Sequence, residues 1–168
     1  MDEVLSEEEK RAHLREVIAD FDTAMLVTRA EDGAPRARPL VLGNSKDDGV
    51  LYFPTLASAP KIAEIQRDPQ VCVTMQSARR FVSVTGHARV VRDMPTIEAV
   101  WSDAWKAWFP QGKTDPELTL IAVTPMAAEY WDNRGVKGLG YLFETAKAFL
   151  TGTRPDLRSD EQNAKVEV

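Results

Sequence analysis

The chain has 168 residues, 43% hydrophobic and 28% charged, a size and composition that suit one folded domain without covalent staples. A formal charge of −5 with scattered lysines and arginines argues against a nucleic-acid surface, and a lone cysteine, Cys72, argues against a disulfide framework or thiolate metal site. No apolar run approaches the roughly 20 residues of a membrane span, and the acidic start (Glu3, Glu7, Glu8, Glu9) lacks a signal-peptide core, so the expected location is the cytoplasm.

Ser6 followed by Glu9 is a capping box, and Leu14, Val17, Ile18 and Phe21 form an apolar stripe, so the first helix is expected from about Glu7 to Asp20. Thr23 to Thr28 and Arg36 to Leu42 read as a hairpin turned at Asp32-Gly33. Pro39 cannot donate to a ladder, which places it at an edge or an irregularity. After the polar loop Asn44 to Gly49, Val50-Leu51-Tyr52-Phe53 reads as a buried strand ended by Pro54. Thr55, Ser58 and Lys61 follow at three-residue intervals into a short helix, with Pro60 in its first turn and Ile62 and Ile65 on its apolar side.

Val71 to Gln76 alternates as a half-buried strand, with Cys72 expected as a small buried thiol. Phe81 to Val91 is the longest strand signal, and Gly86 in its middle suggests a bulge or a close backbone approach. Asp93 and Pro95 open a second long helix carrying Ile97, Val100, Trp101, Ala104, Trp105 and Trp108 on one stripe, expected in the core or at a subunit interface. Leu118 to Val123 and Met126 to Trp131 read as two strand segments broken at Pro125. A third helix is expected through Leu139, Leu142, Phe143, Ala146, Phe149 and Leu150, then a polar connection from Thr153 to Asn163 and an edge strand at Ala164 to Val168. Residues 1–168 show no repeat and no domain boundary. The fold class is α+β, with six or seven short-connected antiparallel strands forming a closed or partly open barrel flanked by helices.

Several chemistries lack their residues. His13 and His87 have no companions at metal-ligand spacing, and neither a Gly-x-Ser-x-Gly, a Gly-x-Gly-x-x-Gly nor a Walker loop occurs. No side chain stands out as acid, base or nucleophile, so no catalytic residue is assigned. What remains is an anion cradle. Thr55, Ser58 and Lys61 surround a helix start, where backbone N–H groups and the dipole favour negative charge. The same hydroxyls also suit simple helix capping, and these residues alone leave both readings open. If the strands flanking the Asn44 to Gly49 loop pair, Arg38 comes near and can fork phosphate oxygens. Arg36 shares its face. Leu40, Tyr52, Phe53 and Trp131 are candidate walls for a flat ring, and flavin mononucleotide (FMN) is the common example of such a ligand.

Several stretches resemble a known family. Arg38-Pro39-Leu40, Tyr52-Phe53-Pro54-Thr55 with Ser58 and Lys61, Asp68-Pro69-Gln70-Val71, Val82 to Ala88 and Ala128-Glu129-Tyr130-Trp131 look like the flavin-binding split barrel of the pyridoxamine 5′-phosphate oxidase superfamily. The Val100-Trp101 to Trp108-Phe109-Pro110 stretch, Asp115-Pro116 and Leu150-Thr151-Gly152 look like its general stress protein 26 branch. The resemblance implies a split barrel and a homodimer with two flavins at the subunit interface, as FMN or alternatively FAD. It further implies that Arg38, Thr55, Ser58 and Lys61 hold the phosphate, that Pro54 lies in the same turn, and that the backbone at Leu40 and Val41 faces the ring. Trp131 matches a tryptophan that reaches the flavin. The oxidases follow that tryptophan with an Arg-Leu-His-Asp-Arg segment, whereas this chain has Asn133-Arg134-Gly135-Val136-Lys137-Gly138, and Phe81 stands where they commonly carry glutamine. Both departures argue against oxidation of vitamin B6 phosphates. The expected function is a flavin-binding general-stress-type protein with flavin-dependent redox activity open. The alternatives are an NAD(P)H-dependent flavin oxidoreductase, a split barrel using deazaflavin or haem, and a barrel whose flavin site has decayed.

Overall fold

The first helix starts where its capping box places it. Ser6 Oγ accepts from the Glu9 N–H at 3.3 Å, and the Glu9 carboxylate accepts from the Ser6 N–H at 2.8 Å. The computed structural model describes residues 6–44, 48–134 and 163–167. Its elements are α1 (Glu7–Ala19), β1 (Thr23–Arg29), β2 (Pro35–Val41), β3 (Leu51–Leu56), α2 (Pro60–Arg67), β4 (Gln70–Gln76), β5 (Arg80–Val91), α3 (Met94–Val100), β6 (Leu118–Asp132) and β7 (Asn163–Glu167). Two 3₁₀ turns, Asp103–Ala107 and Gly112–Thr114, lie between α3 and β6. The expected third helix and nearly all of the Thr153 to Asn163 connection fall outside the described residues.

Every strand pair is antiparallel, in the order β2-β1-β4-β5-β6-β3 with β7 beside β6. The two end strands, β2 and β3, return to each other, and the Gly43 N–H donates to the Tyr52 carbonyl at 2.7 Å. No ladder extends from that joint. The result is an α+β split barrel with one open seam, the architecture expected from the strand pattern and the resemblance.

The seam has a cause in the sequence. The Leu42 N–H donates to Asp22 of the β1 side, so alternation turns the backbone groups of Val41 and Pro39 toward the seam. Extending the Gly43–Tyr52 register sets Val41 against Pro54 and Pro39 against Leu56. Each of those rungs has a proline where a donor is required, so neither can close fully. Pro39 therefore sits on a true edge, as its missing N–H predicts. Gly43 completes the joint, since a Cβ there would stand 3.1 Å from the Tyr52 oxygen.

Two cores fill the molecule. The barrel interior packs Leu14 and Val17 of α1 and Ile62 and Ile65 of α2 against Leu26, Phe53, Val73, Val84, Val123 and Tyr130. Burying such side chains contributes about 1.5–3 kcal/mol each, which anchors both helices to the barrel. A second core lies outside β3 and β6, where Tyr52, Leu120 and Ala122 meet Ile97, Val100, Trp105 and Phe109.

Three expectations are corrected. The second long helix ends at Val100, because Asn44 takes its last carbonyls: the Asn44 N–H donates to Val100 O and Nδ2 to Trp101 O. The tryptophans consequently diverge. Trp105 is 1% exposed in the second core and packs edge-on against half-buried Trp101, while Trp108 is 60% exposed. Next, β6 passes through Pro125 as one strand. The register with β5 shifts between Thr85 and Gly86, and an added Cβ at Gly86 would lie 2.4 Å from Thr124 O, so that glycine answers to both a bulge and a close approach. Finally, Cys72 is half-buried on the outward side of β4, with its sulfur 3.8 Å from Ser83 Oγ, whereas Val71 and Val73 point inward.

Candidate functional site

The open end of the seam gathers charge. Arg38 lies directly opposite Leu26 and Leu40 opposite Ala24, so both project toward the barrel interior. Thr28, two residues beyond Leu26, faces the same way and is buried. From the other side of the seam β3 presents Thr55, and α2 then crosses the barrel end. Within α2, Lys61 and Glu64 are one helical turn apart on the same side.

These residues form two linked contacts. Arg38 Nη1 donates to Thr28 Oγ1 at 2.5 Å, and Thr28 Oγ1 in turn donates to Glu64 Oε2 at 2.5 Å. Arg38 Nη2 closes the triangle, 2.9 Å from Glu64 Oε2 and 3.2 Å from Oε1. Lys61 Nζ donates to Thr55 Oγ1 at 2.8 Å.

The electrostatics tie the two contacts together. Burial and then the Arg38 guanidinium push the Lys61 ammonium down, against a smaller opposing pull from Glu64. Burial alone would raise the Glu64 carboxyl, but the Thr28 hydroxyl and the Arg38 guanidinium outweigh it and hold it below the usual carboxylate range. Arg36 also acts on Glu64 through space, yet its own guanidinium pairs with Asp32 at 3.2 Å. Among the described residues, then, Arg38 and Lys61 share one partner carboxylate. A surplus positive charge with hydroxyl groups at a half-buried strand edge suits a phosphate or another compact anion.

The other sequence candidates are dispersed. Ser58 neither caps α2 nor joins the cluster. Its hydroxyl donates to Glu117 Oε2 at 2.8 Å and its N–H to the same oxygen at 3.3 Å. The N-cap of α2 is Ala59, without a side-chain hydrogen bond, and Pro60 holds the first helical position. The capping reading of Thr55 and Ser58 is thereby overturned. Phe53 is 0% exposed in the barrel core, so its side chain walls no ligand cleft. Tyr52 points into the second core, where its hydroxyl donates to Asp48 Oδ2 at 2.8 Å, and burial followed by that bond pushes the phenol up to about 12. Val41 and Pro54 meet the seam through their backbones. Trp131 is half-buried beside Phe81 on the outward side of the sheet, with β5, β4 and β1 between it and β2.

Sequence reasoning missed Glu64, Thr28 and Glu117. Glu64 had a usable signal, since Lys61 and Glu64 three residues apart must share a helix face. Thr28 lies opposite Arg36 and required the hairpin register. Glu117 had no signal. A second arginine cluster was missed as well. Arg80 is buried and bonds Asp132 at 2.7 Å, the Asp20 carboxylate, and Glu16 at 3.4 Å, while Arg134 reaches Asp20 at 3.0 Å. Among the described residues no three metal-ligating side chains converge and no helix is long and apolar enough to cross a membrane.

Comparisons with known proteins agree with this architecture. The general stress FMN/FAD binding protein of Xanthomonas citri superposes with a TM-score of 0.66 at 27% identity, covering 76% of this chain and 92% of that one. The general stress protein 26 of Bacillus anthracis str. Sterne gives 0.61 at 26% identity, covering 70% and 93%. A Clostridium acetobutylicum protein related to general stress protein 26 gives 0.67 at 17% identity, covering 76% and 91%, which speaks for the fold alone. No curated protein sequence matches. A family profile described as pyridoxamine 5′-phosphate oxidase like matches residues 9–156, so the chain belongs to that family, on its general stress protein 26 branch.

Proposed function

We propose that this chain is a flavin-binding protein of the general stress type that holds FMN by its phosphate at the open end of the seam. One observation carries the reading: Arg38 of β2 and Lys61 of α2, far apart along the chain, come close enough for the guanidinium to push the ammonium down, with Thr55 bonded to Lys61 and one carboxylate, Glu64, bonded to Arg38. Phosphate would replace the missing counter-charge through charge-assisted bonds. From Arg38 along β2 and on to Gly43, the extended chain covers roughly 17 Å at about 3.4 Å per residue, enough for a ribityl chain and a three-ring system laid along the seam. The seam-facing N–H and C=O of Val41 suit the polar edge of that ring. FAD would share the phosphate contact and extend further outward. When bound, flavin supplies electron-transfer chemistry, and the chain supplies charge, orientation and shielding from water.

The active form in this proposal is a homodimer in the cytoplasm, where a lone thiol such as Cys72 persists. Trp131 stands on the outward side of the sheet, opposite Phe81, whereas Arg38 projects toward the barrel interior. In this reading it closes on the ring held by a second copy, whose own Trp131 does the same in return. Met25 and Phe81, 36% and 38% exposed on the same outward side, supply apolar surface for that contact.

Purified protein is expected to be yellow or to become so with added FMN, and the cofactor released on denaturation should have the mass of FMN. Colourless protein that binds neither FMN nor FAD contradicts the proposal. Bleaching of bound flavin by NADH or NADPH would place the chain among the oxidoreductases.

A further inference from the structure

The Glu64 carboxylate takes no part in the phosphate contacts proposed above, and a buried negative charge beside an anion site is costly unless it has work there. We propose that Glu64 is a positioning residue for phosphate: it clamps Arg38, with Thr28, in the orientation that receives the anion. The inference rests on the flavin reading.

The geometry favours a clamp. Arg38 lies on an edge strand at an open seam, where a long side chain is free to swing into water. Its repulsion from Lys61 pushes it that way. Against this, Nη1 is tied to Thr28 and Nη2 to Glu64, and Thr28 is itself tied to Glu64. A guanidinium has five N–H donors, so the two contacts leave donors for phosphate oxygens. Because Lys61 and Glu64 share a face of α2, docking that one helix sets the ammonium and the clamp together. The counter-argument is charge: a carboxylate near the site repels phosphate. Orientation and charge separate cleanly between two variants, since Glu64→Gln keeps an acceptor for Arg38 and loses the charge, while Glu64→Ala loses both.

The test measures FMN and riboflavin affinity by flavin fluorescence for wild type, Glu64→Ala, Glu64→Gln, Arg38→Ala and the double variant. Glu64→Ala should weaken FMN about tenfold, riboflavin should change less than about twofold, and Glu64→Gln should stay within about threefold of wild type for FMN. Adding Glu64→Ala to Arg38→Ala should cost nothing further, as expected for residues acting as a unit. Thr28→Val cuts the other arm of the clamp without stranding a charge and should weaken FMN by about threefold. That variant also serves if Glu64→Ala fails to fold. Unchanged or tighter FMN binding in Glu64→Ala, with Arg38→Ala impaired, overturns the clamp alone. Parallel loss of riboflavin would mark Glu64 as merely structural. An unimpaired Arg38→Ala overturns the clamp and the phosphate reading together.

Discussion

Arg80 and Arg38 both leave water for carboxylate partners, with opposite balance. Arg80 is 3% exposed and faces Asp132, Asp20 and Glu16, so acid outnumbers base even with Arg134 added. That cluster joins α1 to the start of β5 and the end of β6, and His13 adds a contact to Asp132 at 3.3 Å. Arg38 is half-buried and shares one carboxylate with Lys61. A saturated arginine holds the fold together, whereas an under-paired one beside a second cation is poised for an incoming anion. The same side chain thus takes two roles, decided by the count of carboxylates around it and by whether a second cation stands near it.

Breaking the saturated cluster should have the largest effect. Arg80→Ala removes the main partner of the buried Asp132, leaving it only Arg134 and His13, and is expected to cost about 3 kcal/mol of stability in urea denaturation. The ratio of FMN to riboflavin affinity in whatever folds should not move. A selective loss of FMN would erase the distinction between the clusters.

A smaller effect is expected in acid. The native fold holds Glu64 below the usual carboxylate value, so it contributes stability above the unfolded carboxylate pKa of about 4.3 and loses it as pH falls through the lower folded value. The stability gap between wild type and Glu64→Gln should therefore be constant near neutrality and shrink below about pH 4. A gap that widens in acid would contradict the sign.

The smallest stability effect belongs to Lys61. Its folded pKa is pushed down, so its charged form is disfavoured by the ligand-free fold at neutral pH. Lys61→Met should leave the melting temperature of ligand-free protein unchanged or slightly raised. A clear drop would make Lys61 a structural residue like Arg80.

Much of the frame was legible in the sequence, for identifiable reasons. The Ser6–Glu9 box, the Asp32-Gly33 turn, Pro39 on an edge and Gly86 at a bulge are local signals whose geometry leaves few alternatives. The long tryptophan helix was misread because periodicity cannot reveal that Asn44, 57 positions before Trp101, takes the carbonyl that would have continued it. At the site, residue types pointed to Arg38, Thr55 and Lys61, but their balancing partner Glu64 and the diversion of Ser58 to Glu117 are tertiary facts. Tyr52 and Phe53 looked like a ligand wall, yet neighbouring residues on a strand face opposite ways, and here each face has its own core.

The central claim is that the surplus charge at the seam receives a phosphate, and the direct measurement is the dissociation constant of FMN relative to riboflavin in wild type and Lys61→Ala. A charge-assisted bond is worth roughly 1.5–3 kcal/mol, so FMN should weaken about tenfold or more in the variant while riboflavin barely changes. Equal losses for the two ligands, or none for either, would contradict the account.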